Sequence, residues 1–270
     1  MRKVTVRRLA AAVLGTSLGI AGLAVPASAA APPLLQADTL PAELNFEDCP
    51  AAQQLPEGAD PNIWQCNVMV IHDGRLQIGK IDQPFDHPVK LTYATGYDPV
   101  DMKSAVVMGP LETDPFRVSG GILGIDGSDV FPFMQVHAKP AAVADLEFPA
   151  TNVQLRLKLK VQVQNDLVGD QCAIGSKDDP ITLNLTFGTT SPPAPNQPIS
   201  GEIPKPVSFD PLVIGATMVD NAFAVPKSSG CGFGGLLNGF VDWRAGLPSP
   251  AGTNTAIVKS YAMWKTYAQL

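Results

Sequence analysis

Residues 153–164 read V-Q-L-R-L-K-L-K-V-Q-V-Q, an unbroken alternation of apolar and polar side chains. Val153, Leu155, Leu157, Leu159, Val161 and Val163 fall on one side, and Gln154, Arg156, Lys158, Lys160, Gln162 and Gln164 on the other. Only a β-strand sends successive side chains to opposite faces, so the stretch is a strand with one face buried and one face wet. At about 3.3 Å per residue it extends to roughly 40 Å, about twice the common strand length. A one-residue slip would bury Arg156, Lys158 and Lys160, so its register is firmly specified.

The surrounding sequence favours more strands of the same kind. Residues 181–187, I-T-L-N-L-T-F, alternate again and are natural antiparallel partners for the long strand. Further strands are expected at residues 89–95, 104–108, 116–119 and 130–137, weakened by Pro110, Pro115 and Pro132. Asp73-Gly74 lies between two extended runs and predicts a hairpin turn. Residues 139–148 suit either a helical turn or a strand. Leu236, Leu237, Phe240, Val241 and Arg244 have the spacing of a short helix ending near Gly246, and residues 255–267 close the chain as an aromatic strand. The expected fold is all-β: a mostly antiparallel β-sandwich of about ten strands with one short helix. The alternative is a closed β-barrel, which alternation does not distinguish from two packed sheets.

The N-terminus carries Arg2, Lys3, Arg7 and Arg8, then an apolar run from Leu9 to Val25 and the small-residue site Ala27-Ser28-Ala29. This is the pattern of a secretory signal peptide over residues 1–29; the rival reading is an N-terminal membrane anchor. Residues 30–45 read as a flexible lead-in, and 46–270 as a single β domain with a Pro-rich crossover, or a hinge, at 189–206. Cleavage removes four positive charges from 19 Lys+Arg and none of the 25 Asp+Glu, leaving a net charge of −10. That sign disfavours nucleic acid and anionic headgroups as partners.

Four cysteines, Cys49, Cys66, Cys172 and Cys231, follow the signal. An even count in an exported chain points to two disulfides, with three connectivities open. We pair Cys49 with Cys66 and Cys172 with Cys231, loops worth roughly 3 and 4 kcal/mol in the chain-entropy model. A metal site is disfavoured because no C-x-x-C or clustered histidine accompanies them. A thiol nucleophile at Cys231 would need an unpaired sulfur and a basic partner.

Catalytic signatures are absent from the sequence after the expected signal: residues 30–270 hold no G-x-S-x-G, H-E-x-x-H or S-x-x-K. His72, His87 and His137 stand apart from any nucleophile pattern and read as surface or satisfied histidines. Asp126-Gly127-Ser128-Asp129 and Lys177-Asp178-Asp179 offer oxygen ligands but lack the spacing of a calcium loop, and read as turns. The glycines around Cys231 let the chain bend at a disulfide. Arg156, Lys158 and Lys160 form a basic stripe that is a candidate binding face, or else a device against sheet-face aggregation. Tyr261, Trp264 and Tyr267 suit stacking on sugars or a place at a membrane interface, with core packing as the default.

At C-A-I-G-S (172–176), L-N-L-T-F-G-T-T-S-P-P-A-P-N-Q-P-I-S-G (183–201), V-D-N-A-F-A-V-P (219–226), G-C-G (230–232) and L-P-S-P-A-G (247–252), the chain resembles a family of secreted actinobacterial proteins without assigned activity. The likeness runs from about Trp64 to the L-P-S-P-A-G stretch. It implies an exported, single-unit protein and Cys172 with Cys231 as a pair; it carries over no catalytic residue. The segment 261–265 is more aromatic than that family's pattern.

Together these readings predict an exported, disulfide-stapled β-protein with a non-enzymatic binding or structural role at or outside the cell envelope. It needs no catalytic residue, metal or cofactor. Its partner would be an envelope component or another protein, with no nucleic acid and with membrane insertion disfavoured. The alternatives are a secreted hydrolase acting on cell-wall polymers and an envelope channel built as a membrane-inserted barrel.

Overall fold

Thirteen strands form two antiparallel sheets among the residues that the computed structural model describes, 35, 39–149 and 154–270. The expected export signal, residues 30–34 and 36–38 of the lead-in, and Val153 lie outside the described residues. The first sheet holds β1 (Gln65–Ile78), β2 (Ile81–Pro84), β3 (Val89–Tyr97), β4 (Ser104–Glu112), β10 (Glu202–Phe209), β11 (Leu212–Asp220) and β13 (Thr255–Thr266). The second holds β5 (Phe116–Val118), β6 (Val136–Ala142), β7 (Leu155–Gln164), β8 (Ala173–Ile174), β9 (Ile181–Leu185) and β12 (Ser228–Ser229). The spatial order of the first is β10-β11-β13-β1-β3-β4, with β2 also on β1; that of the second is β12-β8-β7-β6-β5, with β9 also on β7.

The alternating stretch behaves as its pattern demands. Along β7 every odd-numbered residue from Leu155 to Val163 is buried and every even-numbered one is partly exposed. β9 pairs antiparallel with its first half, Leu155 opposite Leu185 and Leu159 opposite Ile181. β6 runs along its other edge, from Ala142 opposite Leu159 to His137 opposite Gln164.

β1 is apolar without alternation at Val68-Met69-Val70-Ile71 because both of its faces are covered. Met69 and Ile71 enter the core between the sheets, whereas Cys66, Val68 and Val70 enter a second cluster with Leu40, Leu44 and Phe46. The buried Lys90 ammonium clamps that N-terminal segment through Asp48 and through Asn45 Oδ1 at 2.8 Å.

Neither sheet closes on itself, so the barrel alternative does not hold. The first sheet ends in β4 and β10, which carry Pro110 and Pro204 with Pro206, residues that cannot donate to a further strand. The two sheets meet at one corner, where Thr186 and Val219 exchange backbone hydrogen bonds of 3.0 and 2.9 Å.

Two local expectations need correction. Asp73-Gly74 is not a hairpin turn: β1 runs through it with a bulge against β13, and the turn falls at Gly79-Lys80. Gly74 serves close approach instead, since a Cβ there would lie 2.0 Å from the Ile257 carbonyl oxygen. Residues 130–137 are not one strand. Pro132 opens a short 3₁₀ turn, Pro132–Met134, and the strand starts only at Val136, continuing into the ambiguous segment as far as Ala142.

The Pro-rich stretch carries the chain from β9 to β10, and its last residues belong to β10. Thr190 N–H donates to Ile199 O at 2.8 Å, and Asn196 Nδ2 donates to Asn221 O and Asn254 O at 2.9 and 2.8 Å. The described residues all belong to one compact unit. Helix α1 (Asn238–Ala245) buries Val241 and Ala245 and stops at Gly246, whose φ of +71° is the left-handed conformation glycine adopts freely. Two disulfides join Cys49 to Cys66 and Cys172 to Cys231.

Candidate functional site

The basic stripe is largely engaged within the protein. Glu147 lies between two of its members, 2.8 Å from Arg156 Nη1 and 2.5 Å from Lys158 Nζ. Hydrogen bonds from Lys158 and then Arg156 hold the Glu147 carboxyl below its usual pKa. Arg156 Nε also donates to Asn184 Oδ1, which leaves Lys160 as the stripe member without an ion pair among the described residues.

Two of the three histidines stack on aromatic rings. His72 stacks on Tyr261 with ring centroids 4.1 Å apart, and His87 stacks on Phe116 at 4.0 Å. His137 lies in β6 opposite Gln164 and Arg117. Asp129 is bound to Arg117, and the 177–179 turn is closed by hydrogen bonds between Ser176 and Asp179. Among the described residues no three His, Cys, Asp or Glu side chains converge as a metal site. Tyr267 Oη donates to Pro50 O at 2.7 Å and packs in the N-terminal cluster; Trp264 is exposed.

A cavity lies between the sheets at the second half of β7. It measures about 100 Å³ and is partly open to solvent. Strand alternation builds its walls: Val161 and Val163 from β7, Ala138 and Pro140 from β6, Leu76 and Ile78 from β1. Phe85, Phe116 and Ile122 complete one side, and Phe240, Val241 and Ala245 of α1 cover another. The gap follows from side-chain size. Ala138 and Pro140 point inward where a longer side chain would fill the layer, against the close packing usual in protein interiors. An engineered apolar cavity of about 150 Å³ stays dry and binds benzene, so this one is in the range for a short alkyl segment or small ring.

Two lining residues carry polar side chains, Gln83 and Arg244. Arg244 is the single charge. Its Nη2 donates to two backbone carbonyls, Ser119 O at 3.1 Å and Gly121 O at 3.3 Å, while its buried Nε has no acceptor. Burial pushes the guanidinium pKa down, though an arginine keeps its charge. Residues 119–124 form a turn over this guanidinium, so close that a Cβ on Gly124 would stand 2.5 Å from Nε.

The second disulfide holds the helical wall. Cys231 N–H donates to Asn238 Oδ1 at 2.9 Å, and Ser228 N–H to Asp242 Oδ1 at 2.7 Å, so the disulfide segment grips the start and the middle of α1. From the other side Lys80 N–H donates to Ala245 O at 2.9 Å and Lys80 Nζ to Trp243 O at 3.1 Å. Beyond the cavity, the segment 123–133 leaves Leu123, Ile125, Val130, Phe131 and Phe133 exposed, and α1 leaves Trp243 exposed.

No family model, curated protein or solved structure matches this chain.

Sequence reasoning did not single out this cavity. Its one legible signal was Arg244, a charge at the i+7 position of the apolar stripe Leu237, Phe240, Val241, where an amphipathic helix ordinarily places a hydrophobe.

Proposed function

We propose that this is an exported, non-enzymatic binding protein acting at or outside the cell envelope, and that it takes an apolar ligand into the cavity between its sheets. The observation that carries the reading is the cavity itself: apolar walls, one charge, and partial access to solvent. Ligand sites are concave and mostly apolar, with a few polar groups that fix orientation. Two disulfides favour an oxidising compartment. The signal-like N-terminus and the resemblance to secreted actinobacterial proteins favour the same placement. The exposed apolar residues of 123–133 border the cavity's cover and suit the passage of an apolar ligand.

Binding of 1-hexanol and benzene to the purified mature protein, followed by methyl NMR, tests the reading. Saturable shifts confined to methyls such as Val161, Val163 and Ile122 are expected. Ala138→Leu, which fills the gap, should abolish them without loss of thermal stability. If neither probe produces saturable shifts at millimolar concentration, the cavity is not a ligand site. Turnover of esters, peptides or polysaccharides by the same preparation would overturn the non-enzymatic part.

A further inference from the structure

We propose that the ligand is a singly charged amphiphile, with its apolar tail between the sheets and its carboxylate on the Arg244 guanidinium. This rests on the cavity reading and names the chemistry of the molecule that the cavity takes. The walls by themselves would accept any small hydrophobe; the arginine is what discriminates.

Arg244 is half-buried, and the part of its guanidinium shut off from solvent, Nε, is costly to leave without an acceptor. Arg244 has no carboxylate partner among the described residues, and only neutral carbonyls receive its Nη2. Two acids near it are committed elsewhere: Asp242, on the same helix, accepts from Ser228 N–H, and Asp129 is bound to Arg117. The buried Nε still lacks an acceptor. A ligand carboxylate supplies what is missing, because a charged acceptor binds a guanidinium about twice as strongly as a neutral one and matches its planar fork. It would replace the Ser119 and Gly121 carbonyls, loosening the 119–124 turn from the guanidinium as the tail enters. A dianionic phosphate head fits less well, since no second cation lines the cavity to balance its other charge.

Three six-carbon probes of matched tail test this at pH 7.5: hexanoate, 1-hexanol and hexylammonium, with affinities measured by NMR titration of the wild-type protein. Hexanoate should bind at least about tenfold more tightly than 1-hexanol, the value of one charge-assisted contact, with hexylammonium weakest. In Arg244→Met the hexanoate-to-hexanol ratio should fall to near one, and in Arg244→Lys the preference for the acid should persist in reduced form. If hexanol binds as tightly as hexanoate in the wild type, the anionic class is wrong and the cavity reading stands. If none of the three binds, the cavity reading itself has failed. Should Arg244→Met not fold, as judged by near-UV circular dichroism, the wild-type series and Arg244→Lys decide the matter.

Discussion

The two halves of β7 face the same inter-sheet core and pack it differently. In the first half Leu155, Leu157 and Leu159 meet Ile181, Leu183 and Leu185 of β9, and all six are buried. In the second half Val161 and Val163 meet Ala138 and Pro140 of β6, and a cavity opens. Periodicity is identical across both halves; volume is not. The contrast shows that alternation chooses the face a side chain points to, whereas the sizes on neighbouring strands decide whether that face is filled.

The sharpest way to break this comparison is to release the wall of the open half. Removing the Cys172–Cys231 bond, which closes a separation of 59 residues, should lower unfolding stability by roughly 4 kcal/mol and weaken hexanol binding, because α1 loses its anchor. Removing Cys49–Cys66, with a separation of 17, should cost roughly 3 kcal/mol while leaving hexanol affinity within twofold of wild type. Denaturant unfolding alongside NMR titration reads both, and equal effects on binding would show that the cavity does not depend on the nearer bond.

Truncation probes the packing itself. Leu185→Ala, in the filled half at 1% exposure, should cost about 3 kcal/mol. Val163→Ala, beside the existing cavity, should cost about 1.5 kcal/mol, near the transfer value of the two lost methyls alone. Matching losses after allowance for side-chain size would mean that the two halves are equally well packed.

The smallest expected effect is a control on β1, away from both halves. Burial against Tyr261 is the main cause that lowers the His72 pKa, with Asp73 opposing it and Lys259 adding to it. A lowered folded-state pKa means that the unfolded chain binds the proton more tightly. Stability should therefore decline slightly as pH falls from the free-histidine value of about 6.5 toward the lower folded value. His72→Phe should flatten the stability profile in that window, measured by thermal unfolding across pH. An unchanged profile would remove His72 as its source.

Much of the frame was legible because its signals are local. The run 153–164 could not be helical, and Leu236 to Arg244 followed by Gly246 could hardly be anything but a short helix and its stop. Where expectation failed, a distant neighbour had intervened. Asp73-Gly74 carries turn chemistry, but β13 continues past it and keeps β1 extended through a bulge, so glycine's missing Cβ is used against Ile257 O. β8 and β12 are two residues each and leave too short a pattern to detect. The stripe Arg156, Lys158, Lys160 was visible as a row of charges, yet Glu147, separated in sequence, engages two of them.

Residue order alone committed this chain to pleated sheets with a defined buried side, since a period of two admits no other regular structure. It also supplied the residues for two sulfur bridges. Which strands lie opposite one another, and hence that Ala138 and Pro140 leave room beside Val161 and Val163 under an arginine with a donor to spare, depended on bringing together residues 100 or so positions apart. Packing volume and charge pairing are properties of neighbours in space, and a linear pattern holds no record of them.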